Sequence, residues 1–277
     1  MDIKQYIKIA RPANLLLVGT VVLIAATLFK PFPNFWTFIL VVLCPVLITA
    51  AGNTINDMCD IEIDRINKPD RPLPSGALNL GRAKVFMISV FILGNTAALL
   101  LGFWSLIISL FATALLFWYA YRLRHVALIG NVVVSFLSAM TFLFAAQAFG
   151  DMKRGYVPFL LTFVLSLVRE IVKDLEDLEG DEAHGSKTLP VIIGGTPTRV
   201  IAGLIAAFFI PLIPVPYVAE MYGKWYFFMA IPGVAIPMLI MMVNLFQIKR
   251  KINYHQMAII LKVVMFIGLA SVFMGRF

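Results

Sequence analysis

Nine apolar runs of membrane-spanning length follow one another through this chain of 277 residues, near 13–29, 35–55, 85–102, 104–121, 126–149, 156–172, 200–219, 225–247 and 256–274. About 20 mainly apolar residues are needed for a helix to cross the hydrocarbon layer. Inside that layer every backbone amide and carbonyl must be satisfied within its own segment, so runs of this length can only be helices. With 61% hydrophobic and 14% charged residues and a mean hydropathy of +0.91, little chain is left for a water-soluble domain. The expected fold is an all-α membrane protein of nine transmembrane helices in one bundle, a single domain over 1–277. The segments at about 56–84 and 173–199 are long enough to form caps over its end.

The basic residues orient the bundle. With the N-terminus inside, the cytoplasmic segments hold 17 of the 23 Lys and Arg: Lys4, Lys8, Arg11, Arg65, Lys68, Arg71, Arg82, Lys84, Arg122, Arg124, Arg169, Lys173, Lys187, Arg199, Lys249, Arg250 and Lys251. The other side holds Lys30, Lys153, Arg154, Lys224 and Arg276. Such a bias sets an N-terminus in the cytoplasm and a multi-pass protein of the cell membrane. It also accounts for the net charge of +8 and pI near 9.6 without nucleic acid as a partner, because the charges are spread among loops rather than gathered on one soluble face. The first run has the basic start of a signal sequence, but it is of spanning length and reads as a retained helix. Cys44 and Cys59 lack the His or Cys spacing of a metal site and read as packing residues.

Twelve of the fifteen acidic residues fall in two stretches, 57–70 and 170–182. In each, three aspartates recur at one interval: Asp57, Asp60 and Asp64, then Asp174, Asp177 and Asp181. Positions i, i+3 and i+7 lie within an arc of roughly 60° on a helix of 3.6 residues per turn, so each trio shares a face. The second span is expected to continue as helix through the first trio, where no turn signal intervenes, and Gly180 to let the helix of the second trio end. Carboxylates crowded at a membrane face repel one another and need a multivalent partner. Oxygen ligands without His or Cys favour Mg²⁺ or Mn²⁺, and Mg²⁺ is usually completed by substrate phosphates. A diphosphate is therefore the natural third party, and both trios emerge on the cytoplasmic side.

Arg65, Lys68, Arg71, Arg122, Arg124, Lys173 and Lys187 are the cations available to such an anion, arginine by bidentate contact and lysine as a point charge. Topology alone would supply many of them. Lys84, Arg199 and the run Lys249 to Lys251 read as headgroup anchors. Glu176 and Glu179 fall on other faces of their helix and are expected to be solvated or paired with Lys173. Asn14 and Asn131 are polar residues on apolar spans, serving either as helix glue or as substrate contacts, and each should have a partner in the interior. His184 reads as a solvent-facing loop residue or as a proton acceptor near the second trio.

An offset of 117 residues carries the first aspartate trio onto the second and Asn14 onto Asn131. It spans four helices, and an even number preserves direction, so the chain reads as two parallel four-helix repeats plus a ninth helix.

The run GNTINDMCDIEIDRINKPDRPLPSG from Gly52 to Gly76 resembles the NDxxDxxxD signature of the UbiA-type intramembrane prenyltransferases, and DLEDLEGD from Asp174 to Asp181 is similar to their second aspartate motif. Arg11-Pro12 with Asn14 in the first helix and the nine spans extend the resemblance over essentially the whole chain. It implies transfer of a polyprenyl group from its diphosphate to an acceptor, with two Mg²⁺ bridging the aspartates and the diphosphate. Asn56, Asp57, Asp60 and Asp64 would serve one metal, and Asp174, Asp177 and Asp181 the other. The third motif of that family, a tyrosine followed four residues later by a lysine, is matched only loosely at Tyr119 to Arg124, where Leu123 takes the lysine's place. Arg122 or Arg124 would then substitute for it, and Tyr119 is either a donor contact or an interfacial belt residue.

DRINKPDRPLPSG and REIVKDLEDLEGDEAHGSKTLP look most like the archaeal branch of digeranylgeranylglyceryl phosphate synthases. That branch implies transfer of a geranylgeranyl group to the free hydroxyl of geranylgeranylglyceryl phosphate. Aromatic acceptors of quinone biosynthesis are the alternative within the family. A cation-coupled transporter would place its carboxylates near the midplane of broken helices rather than at cytoplasmic ends. A lipid-binding scaffold would have no use for six aspartates in register.

Overall fold

A computed structural model describes residues 3–29, 34–183, 185–247 and 252–276. His184, Lys30 and the run Lys249, Arg250 and Lys251 lie outside the described residues. Fifteen α-helices occupy most of the described chain: α1 (Ile3–Ala10), α2 (Pro12–Thr27), α3 (Phe35–Cys59), α4 (Ile61–Asn67), α5 (Leu80–Leu101), α6 (Phe103–Tyr121), α7 (Ile129–Ala148), α8 (Lys153–Glu176), α9 (Leu178–Ala183), α10 (Leu189–Ile193), α11 (Gly195–Phe209), α12 (Val215–Val218), α13 (Lys224–Ala230), α14 (Ile236–Phe246) and α15 (Tyr254–Met274). Among the described residues, eight segments are long and apolar enough to cross a membrane, nine if α1 and α2 count as one bent span. Their outward faces carry exposed Leu99, Leu100, Phe103, Trp104, Phe111 and Phe208. So much apolar surface belongs in lipid, and the protein is an integral, multi-pass membrane protein.

The run expected at 13–29 is α2, and α1 precedes it across a sharp bend. Arg11 adopts a left-handed backbone (φ 57°, ψ 77°) between α1 and α2, and the two helices meet at a bend of 58°. Pro12 takes the first position of α2, where its missing N–H goes unneeded, and it disfavours helical geometry at the residue before it.

The chain divides into two compact units, one comprising residues up to Arg122 together with Thr141–Gly155, the other Leu123–Met140 and Tyr156–Phe277. In the first, α3 packs on α2, α5 and α6. A Cβ on Gly94 of α5 would stand 3.0 Å from Ile48 and 3.3 Å from the Cys44 carbonyl, so α3 and α5 approach as closely as a glycine permits. A polar chain links α3, α5 and α6: the Cys44 thiol meets the Ser109 hydroxyl at 3.5 Å, Ser109 donates to Asn95 Oδ1 (2.8 Å), and Asn95 Nδ2 donates to Thr113 (3.1 Å). Asn34 caps α3 by accepting from the Thr37 amide, and Asn79 caps α5 by accepting from Gly81.

In the second unit α11 packs on α14 and α13 on α15 around Phe209, Met238, Leu245, Leu261 and Val264. A five-residue π-turn at Ile231–Ala235, with Pro232 in it, joins α13 to α14. Arg199, expected to anchor at headgroups, is instead buried, and its Nη2 donates to the carbonyls of Asn244 (3.2 Å) and Gln247 (2.8 Å) at the end of α14. The last carbonyls of a helix lack intrahelical partners and carry partial negative charge, so a cation is favoured there.

Candidate active site

The first aspartate trio is built around the bend at Arg11. The turn leaves the Ala10 carbonyl for Asn53 Nδ2, which donates to it at 2.8 Å. Asp57 is four residues further along α3, hence on the same face, and it receives the Arg11 guanidinium. Two side chains one turn apart therefore hold a backbone geometry whose intrinsic strain is on the order of 1–3 kcal/mol. Arg71 completes the arrangement: its Nη1 lies 3.2 Å from Asp57 Oδ1 and is hydrogen-bonded to Asp64 Oδ2. Asp57 and Asp64 are thus brought together on one guanidinium, and both are buried. The segment carrying Arg71 is fixed in turn: Lys8 Nζ donates to the Asp70 carbonyl, and Ile9 of α1 packs with Leu73, Leu78 and Ala83.

The helix does not run through the trio as expected. It stops at Cys59, Asp60 sits in a turn (φ −100°, ψ 7°), and α4 starts at Ile61. Asp60, at that junction, is half-buried. Arg65 points its guanidinium to Glu62 at 2.9 Å, and Lys68 is exposed at the end of α4. Asn14 is exposed and reaches Asn53 Oδ1 only at 3.5 Å, a weak contact in place of the expected interior partner.

The second trio repeats the local geometry. α8 stops at Glu176, Asp177 forms the junction, and α9 begins at Leu178, so the break falls at the middle aspartate and not at Gly180. Backbone bonds from the Asp177 amide to the Lys173 carbonyl and from the Asp181 amide to the Asp177 carbonyl, both 2.9 Å, match those at Asp60 and Asp64, 3.0 and 2.7 Å. Buried Asn131 donates to Asp174 Oδ2 at 2.8 Å, the interior partner that its place on an apolar span demanded. Thr188 donates to Asp181 Oδ2 at 2.9 Å. Glu176, expected to be solvated or paired with Lys173, is exposed and takes His255 at 2.6 Å, and Lys173 is half-buried. Lys187 lines a cleft of about 520 Å³ with Val126, Ala127, Gly185 and Ile192. Tyr119 is half-buried near the end of α6, Arg122 is exposed at its last turn, and Arg124 is in the short 3₁₀ turn Leu123–His125.

Residues 15–269 match the model of the UbiA prenyltransferase family. The chain belongs to that family. A digeranylgeranylglyceryl phosphate synthase of Thermococcus kodakarensis is 40% identical over 207 residues, 74% of this chain and 75% of that one. Among solved structures, one described as giving insights into digeranylgeranylglyceryl phosphate synthase in membranes is 31% identical and superposes with a TM-score of 0.85, covering 99% of this chain and 98% of the other. A UbiA homologue from Archaeoglobus fulgidus, solved with GPP and Mg²⁺, shares the fold at a TM-score of 0.74 and 19% identity, covering 97% of this chain and 99% of its own.

In this UbiA chain the donors at the first trio suit a hard cation. Asn56 Oδ1 is buried and without a hydrogen-bond partner, and Asn56 precedes Asp57 directly in the chain. An all-oxygen set with an unsatisfied amide carbonyl fits Mg²⁺ better than a soft metal. Among the described residues no three His, Cys, Asp or Glu side chains stand close enough to form a metal cage by themselves. At Asp57 and Asp64 guanidinium groups hold the carboxylates instead. The sequence did not single out Arg11 or Asn53 as site residues: both stand in the quoted motifs, and Arg11 was otherwise counted only among the charges that orient the bundle. The available signal was that Asn53 precedes Asp57 by one helical turn and that Arg11 precedes a proline.

Proposed function

We propose that this protein is a Mg²⁺-dependent prenyltransferase that transfers a geranylgeranyl group from its diphosphate to the hydroxyl of geranylgeranylglyceryl phosphate. The observation that carries this reading is agreement at sequence and fold together: 31% identity and a TM-score of 0.85 over nearly the full length of a structure described for that synthase. We read residues 1–277 as one catalytic domain of nine spans, two four-helix repeats and a ninth helix, with the N-terminus and the active site on the cytoplasmic side. The matching breaks at Asp60 and Asp177 support the repeat, and the distribution of Lys and Arg supports the orientation.

Asp57, Asp60 and Asp64 with Asn56 are assigned to one Mg²⁺, and Asp174, Asp177 and Asp181 to a second. When bound, such ions supply positive charge to the diphosphate as the allylic C–O bond breaks. The chain's own residues do the rest. Asn131 fixes the rotamer of Asp174 and Thr188 that of Asp181, so both carboxylates are oriented before a ligand arrives. Arg71, Arg65, Lys68, Lys173, Lys187, Arg122 and Arg124 are the cations available to the phosphates of donor and acceptor, with Asn14 and Tyr119 as further contacts. The apolar helices hold the prenyl tails and keep water from the allylic cation, and the acceptor hydroxyl, as its oxygen bonds the allylic carbon, gives its proton to the departing diphosphate.

Purified protein in lipid nanodiscs, given geranylgeranyl diphosphate and Mg²⁺, should convert geranylgeranylglyceryl phosphate to the diether product, read by mass spectrometry. Prenylation of an aromatic acid with the glyceryl phosphate left untouched would overturn the acceptor assignment. Cation uptake without diphosphate release would overturn the enzymatic one.

A further inference from the structure

Arg11 was not required by any step above, yet the chain adopts a strained turn to place it. Its left-handed backbone is held by Asn53 on the Ala10 carbonyl and by Asp57 on its guanidinium, one turn apart on α3. Arg71 occupies the other side of Asp57 and also Asp64. The two guanidinia balance the two buried carboxylates charge for charge. The carboxylate side chains are 3% and 6% exposed, whereas those of Arg11 and Arg71 are 32% and 21% exposed, so what approaches from outside meets the cations first.

A divalent cation arriving alone would find two of the motif's three carboxylates already neutralised and would face two positive groups in its path. An anion with phosphate oxygens meets the opposite field. Guanidinium binds phosphate in a fork as well as it binds carboxylate, so a diphosphate can receive both arginines and leave Asp57 and Asp64 open to metal. We propose that Arg11, with Arg71, is a positioning residue that occupies the first aspartate motif until a prenyl diphosphate takes it over, so that metal and diphosphate enter the motif together. This rests on the assignment of Asp57 and Asp64 to a metal under the proposed function, and it adds a binding order and a residue that the assignment does not need.

Equilibrium dialysis of the full chain in detergent, with Mn²⁺ and with or without ³²P-labelled inorganic pyrophosphate, tests the coupling without turnover. Mn²⁺ retained beyond that kept by an Asp57→Asn variant reports the first motif. In the native protein this Asp57-dependent fraction should be small with Mn²⁺ alone and should rise together with retained pyrophosphate. In Arg11→Gln it should bind Mn²⁺ alone roughly tenfold more tightly, the scale of one charge-assisted hydrogen bond, and pyrophosphate should lose most of its enhancing effect. Arg11→Lys keeps the charge and should restore the coupling in part. A merely structural Arg11 would leave Mn²⁺ affinity per folded protein unchanged from native in both Arg11 variants, and that result overturns the proposal. So does native protein that binds Asp57-dependent Mn²⁺ equally well with and without pyrophosphate. If that protein still forms product, the binding order is wrong and the enzymatic reading stands; if no Asp57-dependent Mn²⁺ is found under any condition, the metal assignment falls with it.

Discussion

Removing Asp57 should destabilise the protein even before a substrate is added. Its carboxylate is shared by two arginines and its side chain is 3% exposed. Deleting one partner of a fully buried ion pair destabilises by about 3–5 kcal/mol. Here the orphaned guanidinia are 32% and 21% exposed and Arg71 keeps Asp64, so solvent recovers part of their hydration and the expected loss is about 1–3 kcal/mol. For a chain of this size that corresponds to a fall of roughly 2–10 °C in melting temperature. Repulsion among three metal-free carboxylates on one helical face, taken without their partners, would give the opposite sign. Thermal ramps followed by tryptophan fluorescence, in detergent with EDTA at pH 7, decide between the two. Asp57→Ala, Arg11→Ala and their double variant form a cycle in which the Arg11–Asp57 pair should show a coupling of about 0.5–3 kcal/mol. An Asp57→Ala protein that melts at or above the native temperature would refute the pairing.

Asn131→Ala removes the amide that orients Asp174, and the Mg²⁺ concentration for half-maximal product formation should rise about 10–100-fold, measured by titrating Mg²⁺ into the prenyl transfer assay. Dialysis against EDTA should abolish product, and Mg²⁺ or Mn²⁺ should restore it; turnover that survives chelation would exclude a metal-dependent step. Gly233→Ala should lower thermal stability by about 1–3 kcal/mol, because a Cβ at Gly233 would stand 2.3 Å from Ile267 Cγ2. Arg199→Met should also lower stability, by about 1.5–3 kcal/mol, through the carbonyls of Asn244 and Gln247 that it leaves behind.

Much of the scaffold was legible because lipid imposes a simple rule: a run of apolar residues with no water to bond its backbone must be a helix. Eight runs became segments of spanning length, and the run at 13–29 became α2, which a local signal, Arg11 before Pro12, sets at a bend to the unforeseen α1. The aspartates were legible as a repeated spacing, but spacing assumes an unbroken helix. The breaks at Asp60 and Asp177 depend on junctions that periodicity does not encode. Charge partners were the least legible. Arg199 looked like an anchor by its position in the chain, and only the packing of α11 on α14 places it over a helix end. Glu176 was expected to be solvated or paired with basic residues near it in sequence, whereas the fold supplies His255, 79 residues away.

The partners of the two aspartate trios differ in a way that bears on how each takes a metal. Asp57 and Asp64 are held by guanidinium groups, Asp174 and Asp181 by the amide of Asn131 and the hydroxyl of Thr188. A neutral donor can stay on one lone pair of a carboxylate oxygen while another binds a cation, and it adds no net charge to oppose one. A guanidinium must move or be repelled. With Mn²⁺ as the sole ligand the second trio should therefore fill first: an Asp57→Asn variant should retain close to the native amount of metal in dialysis, and an Asp174→Asn variant should lose most of it. Equal losses in the two variants would mean that neutral and cationic partners hinder the metal alike, and the electrostatic distinction between the trios would have to be abandoned.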